Sequence, residues 1–166
     1  MLEVLLALLV ISLTSVALLS GYATTIAGSA THQNLAGLDV VLRDAAEEVT
    51  YQVQAQASPD YSPCATTSGT VKDGASGLSG ALQYGTSTLD LSGVAFSPGE
   101  SLSLGATKYW DPSTTNPSSG TSGTWVSTCP ATYQDGAQLL TLNALGPHGV
   151  AESVQIAVID LVGASS

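Results

Sequence analysis

Glu3 is the residue of this sequence whose type and position carry the clearest chemistry. It is the only Asp, Glu, Lys or Arg before Asp39, and it lies near the start of a strongly apolar segment. A carboxylate packed among apolar helices is costly unless a cation pairs with it. The α-amino group is the one cation near this end, so copies staggered along an axis bring an amine to Glu3 of the next copy. We predict that Glu3 supplies attraction and axial register between copies; the alternative is an idle carboxylate at the lipid headgroups.

The two cysteines, Cys64 and Cys129, are a second chemical pair. An even number of cysteines is compatible with a disulfide in an exported domain. A bridge closing a loop of about 65 residues would contribute about 4 kcal/mol in the loop-entropy model. The alternative is two buried thiols. We predict the disulfide, because the N-terminal segment indicates export.

Catalytic and metal-binding patterns are not found in the sequence. His32 and His148 are far apart, and neither has a Cys or a carboxylate at metal-ligand spacing. No nucleophile elbow, phosphate-binding loop or zinc-protease motif occurs. Asp111 with Asn116 or Asp135 offers oxygen ligands for Ca²⁺, but without a loop signature. We predict no enzyme activity, no cofactor and no metal.

Hydroxyl side chains cluster in the Ser/Thr-rich stretch 111–124, which we predict to be an irregular loop. Its exposed hydroxyls are candidate acceptors for O-linked sugars, and the alternative is an unmodified, hydrated loop. The candidate acceptors are Ser113, Thr114, Thr115, Ser118 and Ser119.

The charge balance limits the partners of this chain of 166 residues. Three basic residues stand against thirteen acidic ones, giving a net charge of −10. Such a surface repels phosphate backbones, so we expect no direct binding of nucleic acid.

The N-terminal segment has the length of a membrane anchor. Residues 1–26 would form a helix of about 39 Å, enough to cross the hydrocarbon core. A cleaved secretory signal would begin with a basic region and end in a small-residue cleavage site. This segment has no Lys or Arg before Arg43 and carries an acidic residue at its third position instead.

The segment Met1-Leu-Glu-Val-Leu-Leu-Ala-Leu-Leu-Val-Ile-Ser12 resembles the mature N-terminus of type IV pilins and type II secretion pseudopilins. In that family a leader is cleaved, the new N-terminal residue is often methylated, and a Glu follows in a long apolar helix. Glu3 matches this Glu, although the family usually places it at the fifth mature residue. Two mature residues preceding Met1 would explain the difference, and altered spacing is the alternative.

The resemblance implies a homo-oligomeric helical filament on the cell surface. The subunit would sit in the cytoplasmic membrane before assembly and meet a prepilin peptidase and an inner-membrane assembly machinery. Glu3 and its apolar neighbours would make the assembly contacts: Met1, Leu2, Val4, Leu5 and Leu6. A minor pilin or a secretion pseudopilin remains an alternative within the family.

The helix continues beyond the anchor. Apolar residues recur at three- and four-residue steps and form one stripe, opposite a charged face: Leu35, Leu38, Leu42, Ala45, Val49 and Val53. Ser58-Pro59 predicts the end of the helix near residue 57. Because pilins often unwind locally when they pack in a filament, the resemblance implies local melting of this helix over residues 20–29. This region begins with the weak helix formers Ser20 and Gly21.

The remaining residues predict a β-rich head, and the whole chain an α+β fold. We expect a membrane anchor over residues 1–28, an amphipathic helix over 29–57 and a head over 58–166. The head should contain an antiparallel sheet of about four to six strands. The predicted strands cover 89–96, 101–104, 139–145 and 152–162, and the aromatic side chains should fill the core.

Two rival functions remain at this point. One is a membrane-tethered extracellular binding module whose anchor stays in the bilayer, and the other is an exported enzyme. Glu3 and the amphipathic continuation favour the filament subunit.

Overall fold

The computed structural model of the chain describes residues 2–54, 61–74, 77–115, 122–130 and 136–159. One long helix, α1 (Leu2–Gln54), precedes a single antiparallel sheet, so the predicted α+β class is confirmed. The sheet has eight strands, more than predicted: β1 (Thr67–Gly74), β2 (Gly77–Tyr84), β3 (Ser87–Leu89), β4 (Ser101–Leu104), β5 (Lys108–Thr115), β6 (Ser122–Val126), β7 (Gln138–Leu145) and β8 (Ala151–Val158).

The helix α1 extends over 53 residues, which is about 80 Å at the usual helical rise. The predicted end near residue 57 lies outside the described residues. Within its C-terminal part the predicted stripe is buried at five of six positions, and Val41 joins it. Leu35, the remaining position, is half-buried.

The sheet is built around β7. Its strand order is β3-β2-β1-β4-β7-β5-β6, and β8 pairs with β7 as well. β4 and β5 follow one another along one edge of β7, while β8 pairs along the whole of the other edge. Alternate residues of β7 face the helix, and these are the buried ones: Gln138, Leu140, Leu142 and Ala144. α1 packs on β7 and β8 and closes the core.

The predicted strand over residues 89–96 is wrong except at its first residue, Leu89. β3 ends at Leu89, and residues 90–100 form a loop that lies on α1. Leu91 and Val94 are buried although they are not in a strand, because their side chains pack against the helix stripe. They are three residues apart, whereas in a strand every second residue faces the core, so their spacing does not fit a strand.

This 90–100 loop contacts α1 through Gln52 and near Gly37 of the helix. Gln52 donates to the Asp90 carbonyl at 2.5 Å and accepts from the Asp90 N–H at 2.9 Å. Glu100 is buried and accepts the Ser97 N–H at 2.6 Å. Its carboxyl group faces Gly37, where an added Cβ would lie 3.5 Å from the Glu100 Oε1 atom. The 90–100 loop therefore covers part of α1 that the sheet leaves open.

The prediction of an irregular loop over residues 111–124 is also wrong in part. β5 continues to Thr115 and pairs with β6, with a shift of register between Asp111 and Thr115. Pro112 lies within this irregularity, where the missing N–H removes no regular ladder bond. Residues 116–121 are outside the described part of the chain.

Two pairs of aromatic residues in the head have different surroundings. Tyr84 and Tyr109 are buried in the core, as predicted. Trp110 and Trp125 are half-buried and meet edge to face across the β5–β6 hairpin, with ring centroids 5.4 Å apart. The indole of Trp110 fills the space above Gly123, where a Cβ would lie 2.2 Å from a ring atom. The tryptophans therefore hold the hairpin together rather than fill the core.

Candidate assembly surface

The N-terminal part of α1 is a rod whose large apolar side chains have no partner within the described chain. Twelve of them are more than half exposed: Val4, Leu6, Leu8, Leu9, Val10, Ile11, Leu13, Val16, Leu18, Leu19, Tyr22 and Ile26. This area far exceeds the apolar patch that a soluble monomer normally exposes. The rod therefore requires lipid or other protein chains around it.

The polar side chains of this rod are satisfied by its own backbone. Thr14 donates to the Ile11 carbonyl at 2.9 Å, and Ser15 donates to the same carbonyl at 2.8 Å. Ser12 donates to the carbonyl of Leu8. These three are the only hydroxyl residues between Val4 and Leu19. This stretch can therefore enter an apolar medium without an unpaired side-chain donor.

Glu3 is the exception in this rod. It lies in the first turn of α1 with its side chain exposed, and no described residue of the chain forms an ion pair with it. Its carboxyl group is stabilised by the helix N-terminus only in part, since that effect is worth about 1 kcal/mol or less at exposed sites. In an apolar surrounding Glu3 would need a partner from outside the described chain.

The other predicted assembly residues surround Glu3. Val4 and Leu6 are exposed and apolar. Leu2 and Leu5 belong to the same helix, whereas Met1 lies outside the described residues. The structure thus places the described members of this set on consecutive turns of the exposed rod.

Ser20 and Gly21 lie within continuous helix in the isolated chain. Ser20 donates its hydroxyl to the Ala17 carbonyl at 3.0 Å, and Thr24 and Thr25 both donate to the Gly21 carbonyl. The melting predicted for these residues concerns the packed filament, and it stays a prediction.

A disulfide joins Cys64 and Cys129, with 5.5 Å between their Cα atoms. It connects the segment that follows α1 to the segment that follows β6. The hydroxyl of Tyr109 donates to the Ala65 carbonyl at 2.9 Å beside it. The bridge therefore fastens the head to the region where the chain leaves the helix.

A buried polar residue, Gln138, strengthens the same region and was missed in the sequence. Its Nε2 donates to the Ser62 carbonyl at 2.8 Å, and its Oε1 accepts the Tyr84 hydroxyl at 3.0 Å. Burial raises the pKa of Tyr84 above its usual range, and burial also raises the pKa of Tyr109. Only the alternation of apolar residues in β7, which puts Gln138 on the core face, could have indicated its position.

The candidate acceptors of O-linked sugars are only partly described. Ser113 is exposed in β5 and donates its hydroxyl to Asp111 Oδ1 at 2.6 Å. Thr114 and Thr115 complete the same strand, while Ser118 and Ser119 lie outside the described residues. Three of the five candidates thus belong to a strand rather than to the irregular loop expected from their composition.

No group of three or more His, Cys, Asp or Glu side chains that could hold a metal ion occurs in the described ranges. Asp111, one of the candidate Ca²⁺ ligands, accepts both the N–H and the hydroxyl of Ser113. Asn116 and Asp135 lie outside the description.

Comparisons of the chain with protein-family models, with characterised proteins and with solved structures gave no match. By length and composition α1 could cross a membrane, and among the described residues it is the one helix that could.

Proposed function

We propose that this protein is a subunit of an extracellular filament of the type IV pilus kind. Copies of the exposed half of α1 bundle in the filament core, and the acidic heads form the outer surface. Before assembly the same half is held in the cytoplasmic membrane. Such a filament would serve surface attachment, motility or DNA uptake. The assembled filament would contact the surface or the DNA, since this acidic chain alone is not expected to bind nucleic acid.

The observation that carries the proposal is the division of one continuous helix into two halves. Leu38 and its stripe are covered by the chain's own sheet, whereas the apolar side chains from Val4 to Ile26 are exposed on all sides. A membrane anchor alone would explain the apolar residues, but it would give the carboxylate of Glu3 no role. A bundle of staggered copies explains both, since apolar surfaces pack against each other and Glu3 gains an amine.

The rival proposal, a membrane-tethered module, is favoured by the capacity of α1 to span a bilayer. It predicts a different environment for the exposed half, namely lipid instead of other copies of the helix. Cross-linking distinguishes the two in cells that export the chain with both Val4→Cys and Leu13→Cys, because two thiols per copy allow chains of more than two copies to be linked. Treated with a bifunctional thiol reagent, a filament should give a ladder of covalent oligomers in the sheared material.

The control is a chain with Thr88→Cys and Ser127→Cys, two exposed positions of the head. It shows whether the reagents reach thiols on the exported chain. Oligomers from the helix pair in the sheared fraction support the filament. A helix pair that yields only monomers and dimers in the membrane fraction, while the head pair reacts with soluble thiol reagents, contradicts it.

A further inference from the structure

The free edge of β8 is a second surface without a partner in the described chain. β8 pairs with β7 from Ala151 to Val158, and no described strand pairs with its other edge. An edge of this kind offers a row of backbone donors and acceptors to any extended segment that reaches it.

The backbone groups that point to the free edge can be identified from the β7–β8 turn. Gly146 N–H donates to the Val150 carbonyl at 2.7 Å, so these two residues form a hydrogen-bonded pair. Such pairs alternate along an antiparallel ladder. The even-numbered residues of β8 therefore bond to β7, while Ala151, Ser153, Gln155 and Ala157 direct their N–H and C=O groups to the free edge.

The other two edges of the sheet are less suited to pairing. β3 has only three residues, and β6 has five and includes Gly123 with φ of 93°. Short or irregular edge strands are common protections against unwanted pairing, as are Lys and Pro residues. β8 has eight residues, contains no Pro or Lys, and carries Glu152 as its only charge.

A groove of about 410 Å³ lies between this edge and α1. Leu42 and Ala46 of the helix and Val154 of β8 form its apolar part. Its charged residues are three acids and one base: Asp39, Glu47, Glu152 and Arg43. Because Glu152 and Val154 are even-numbered, their side chains lie on the helix side of β8, where alternate side chains of an added strand would also lie.

We propose that the edge of β8 is a docking site for an extended, basic segment of another protein, which pairs with β8 as an additional strand. Its backbone would bond to Ser153 and Gln155, its apolar side chains would cover Val154, and a Lys or Arg would face Glu152. Arg43 already pairs with Glu47 at 3.3 Å, which leaves Asp39 and Glu152 to attract the cation.

This chain has no free basic segment that could pair with the edge of β8. Its only basic residues are Arg43, Lys72 and Lys108. Arg43 belongs to the groove, Lys72 lies between Ser79 of β2 and Ser101 of β4, and Lys108 pairs with Leu139 of β7. No residue outside the described ranges is basic either, which includes the C-terminal residues 160–166.

The test uses the full chain in detergent micelles, so it does not depend on filament assembly. The probe is a peptide with blocked ends and eight residues, the length of β8. Its side chains on one face are Lys, Val, Val and Lys, and those on the other face are Thr. Because there is a Lys towards each end, a Lys can face Glu152 whether the peptide binds parallel or antiparallel to β8. The control peptide has Glu in place of Lys.

Amide hydrogen exchange should show the edge directly. In the free chain the amides of Ser153 and Gln155 should exchange fast and those of Val154 and Ile156 slowly. The Lys peptide should slow the first pair and leave the second unchanged. Slow exchange at Ser153 and Gln155 before the peptide is added would mean that residues 160–166 or a second copy covers the edge, and it would overturn the proposal.

Two variants separate backbone pairing from charge. Gln155→Pro removes an edge N–H that makes no bond to β7 and should weaken binding of the Lys peptide by about tenfold, whereas Gln155→Ala should not. Glu152→Lys should weaken binding of the Lys peptide and strengthen binding of the Glu peptide. Equal binding of both peptides to the unmodified chain, or unchanged binding to Gln155→Pro, would overturn the proposal.

Discussion

The two halves of α1 share one continuous helical backbone and differ in what covers their side chains. In the C-terminal half Leu38, Ala45 and Val49 are fully buried beneath the sheet. In the N-terminal half Leu13 is 64% exposed and Val16 is 67% exposed. The first half of the helix is therefore incomplete as a folded structure, while the second half is complete within one chain.

This difference separates stability from assembly. Substitutions in the C-terminal half of α1 should change the free energy of unfolding of the head. Substitutions in the N-terminal half should leave the head stable and change only what the chain assembles with.

The largest effect is expected from Glu3→Gln, which removes the charge but keeps the shape. A buried amine without its carboxylate is strongly destabilised, so the yield of filaments should fall by more than about tenfold. The melting temperature of the head should not change. Electron microscopy and quantification of the sheared fraction measure the yield, with Glu47→Gln as the control that retains filaments. Normal filaments from Glu3→Gln would refute the role of this carboxylate.

The double substitution Cys64→Ser with Cys129→Ser should give the largest loss of head stability. The disulfide separates its cysteines by 65 residues in sequence. Opening a loop of that size is expected to lower the free energy of unfolding by about 4 kcal/mol. Denaturant titration followed by tryptophan fluorescence provides the measurement, and the helical content of the N-terminal half should persist. A loss below about 1 kcal/mol would show that the Gln138 contacts already fix this region.

Leu38→Ala and Leu13→Ala form a matched pair across the two halves. Leu38 is 0% exposed, and its truncation should lower the free energy of unfolding by about 3 kcal/mol. Leu13→Ala removes the same atoms from an exposed position and should not affect head stability. Equal destabilisation by both, measured in the same detergent, would contradict the division of the helix.

The buried tyrosine of the head should make stability fall at alkaline pH. Burial raises the pKa of Tyr84 in the folded state above its unfolded value of about 10. The stabilisation is fully present below the unfolded pKa and is lost as pH rises towards the folded pKa. The free energy of unfolding should decline above about pH 10, and the decline should be shallower in Tyr84→Phe.

Tyr84→Phe should also cost about 1 kcal/mol at neutral pH, since Gln138 loses a hydrogen-bond donor. Tyr51→Phe, at a position that is 70% exposed, is the control that should leave the profile unchanged. A profile of equal slope in Tyr84→Phe would assign the alkaline loss to other groups.

The smallest effect is expected from the exposed ion pair of the helix. Arg43 and Glu47 are 3.3 Å apart, with both side chains more than two-thirds exposed. Arg43→Ala should change the free energy of unfolding by less than about 0.5 kcal/mol. Thermal unfolding at low and high salt tests this, and a salt-dependent loss of several degrees would show that the pair is more important than its exposure indicates.

Much of α1 could be predicted because its pattern is local. The spacing of Leu38, Leu42 and Val49 determines a buried stripe whatever the head looks like. The 90–100 loop was predicted as a strand because Leu91 and Val94 are apolar, but they are buried by α1, which is distant in sequence. Whether such a short apolar segment forms a strand or a buried loop depends on contacts with residues distant in sequence, which a local pattern does not reveal.

The head was harder to predict for the same reason. β1 and β2 contain many Gly and Ser residues and few apolar ones, so their pairing depends on β4 and on each other. The β5–β6 hairpin includes Pro112 and a shift of register, which made its sequence resemble an irregular loop. Glu3 could be singled out from the sequence alone, because a lone carboxylate in an apolar segment has few physical explanations.

Mass spectrometry of the chain sheared from the surface of cells that produce it tests whether the chain is a filament subunit. The sheared fibres should contain this chain with a cleaved and methylated N-terminus and with Glu3 close behind it. An unprocessed chain found only in the membrane fraction would contradict the filament and favour a tethered module.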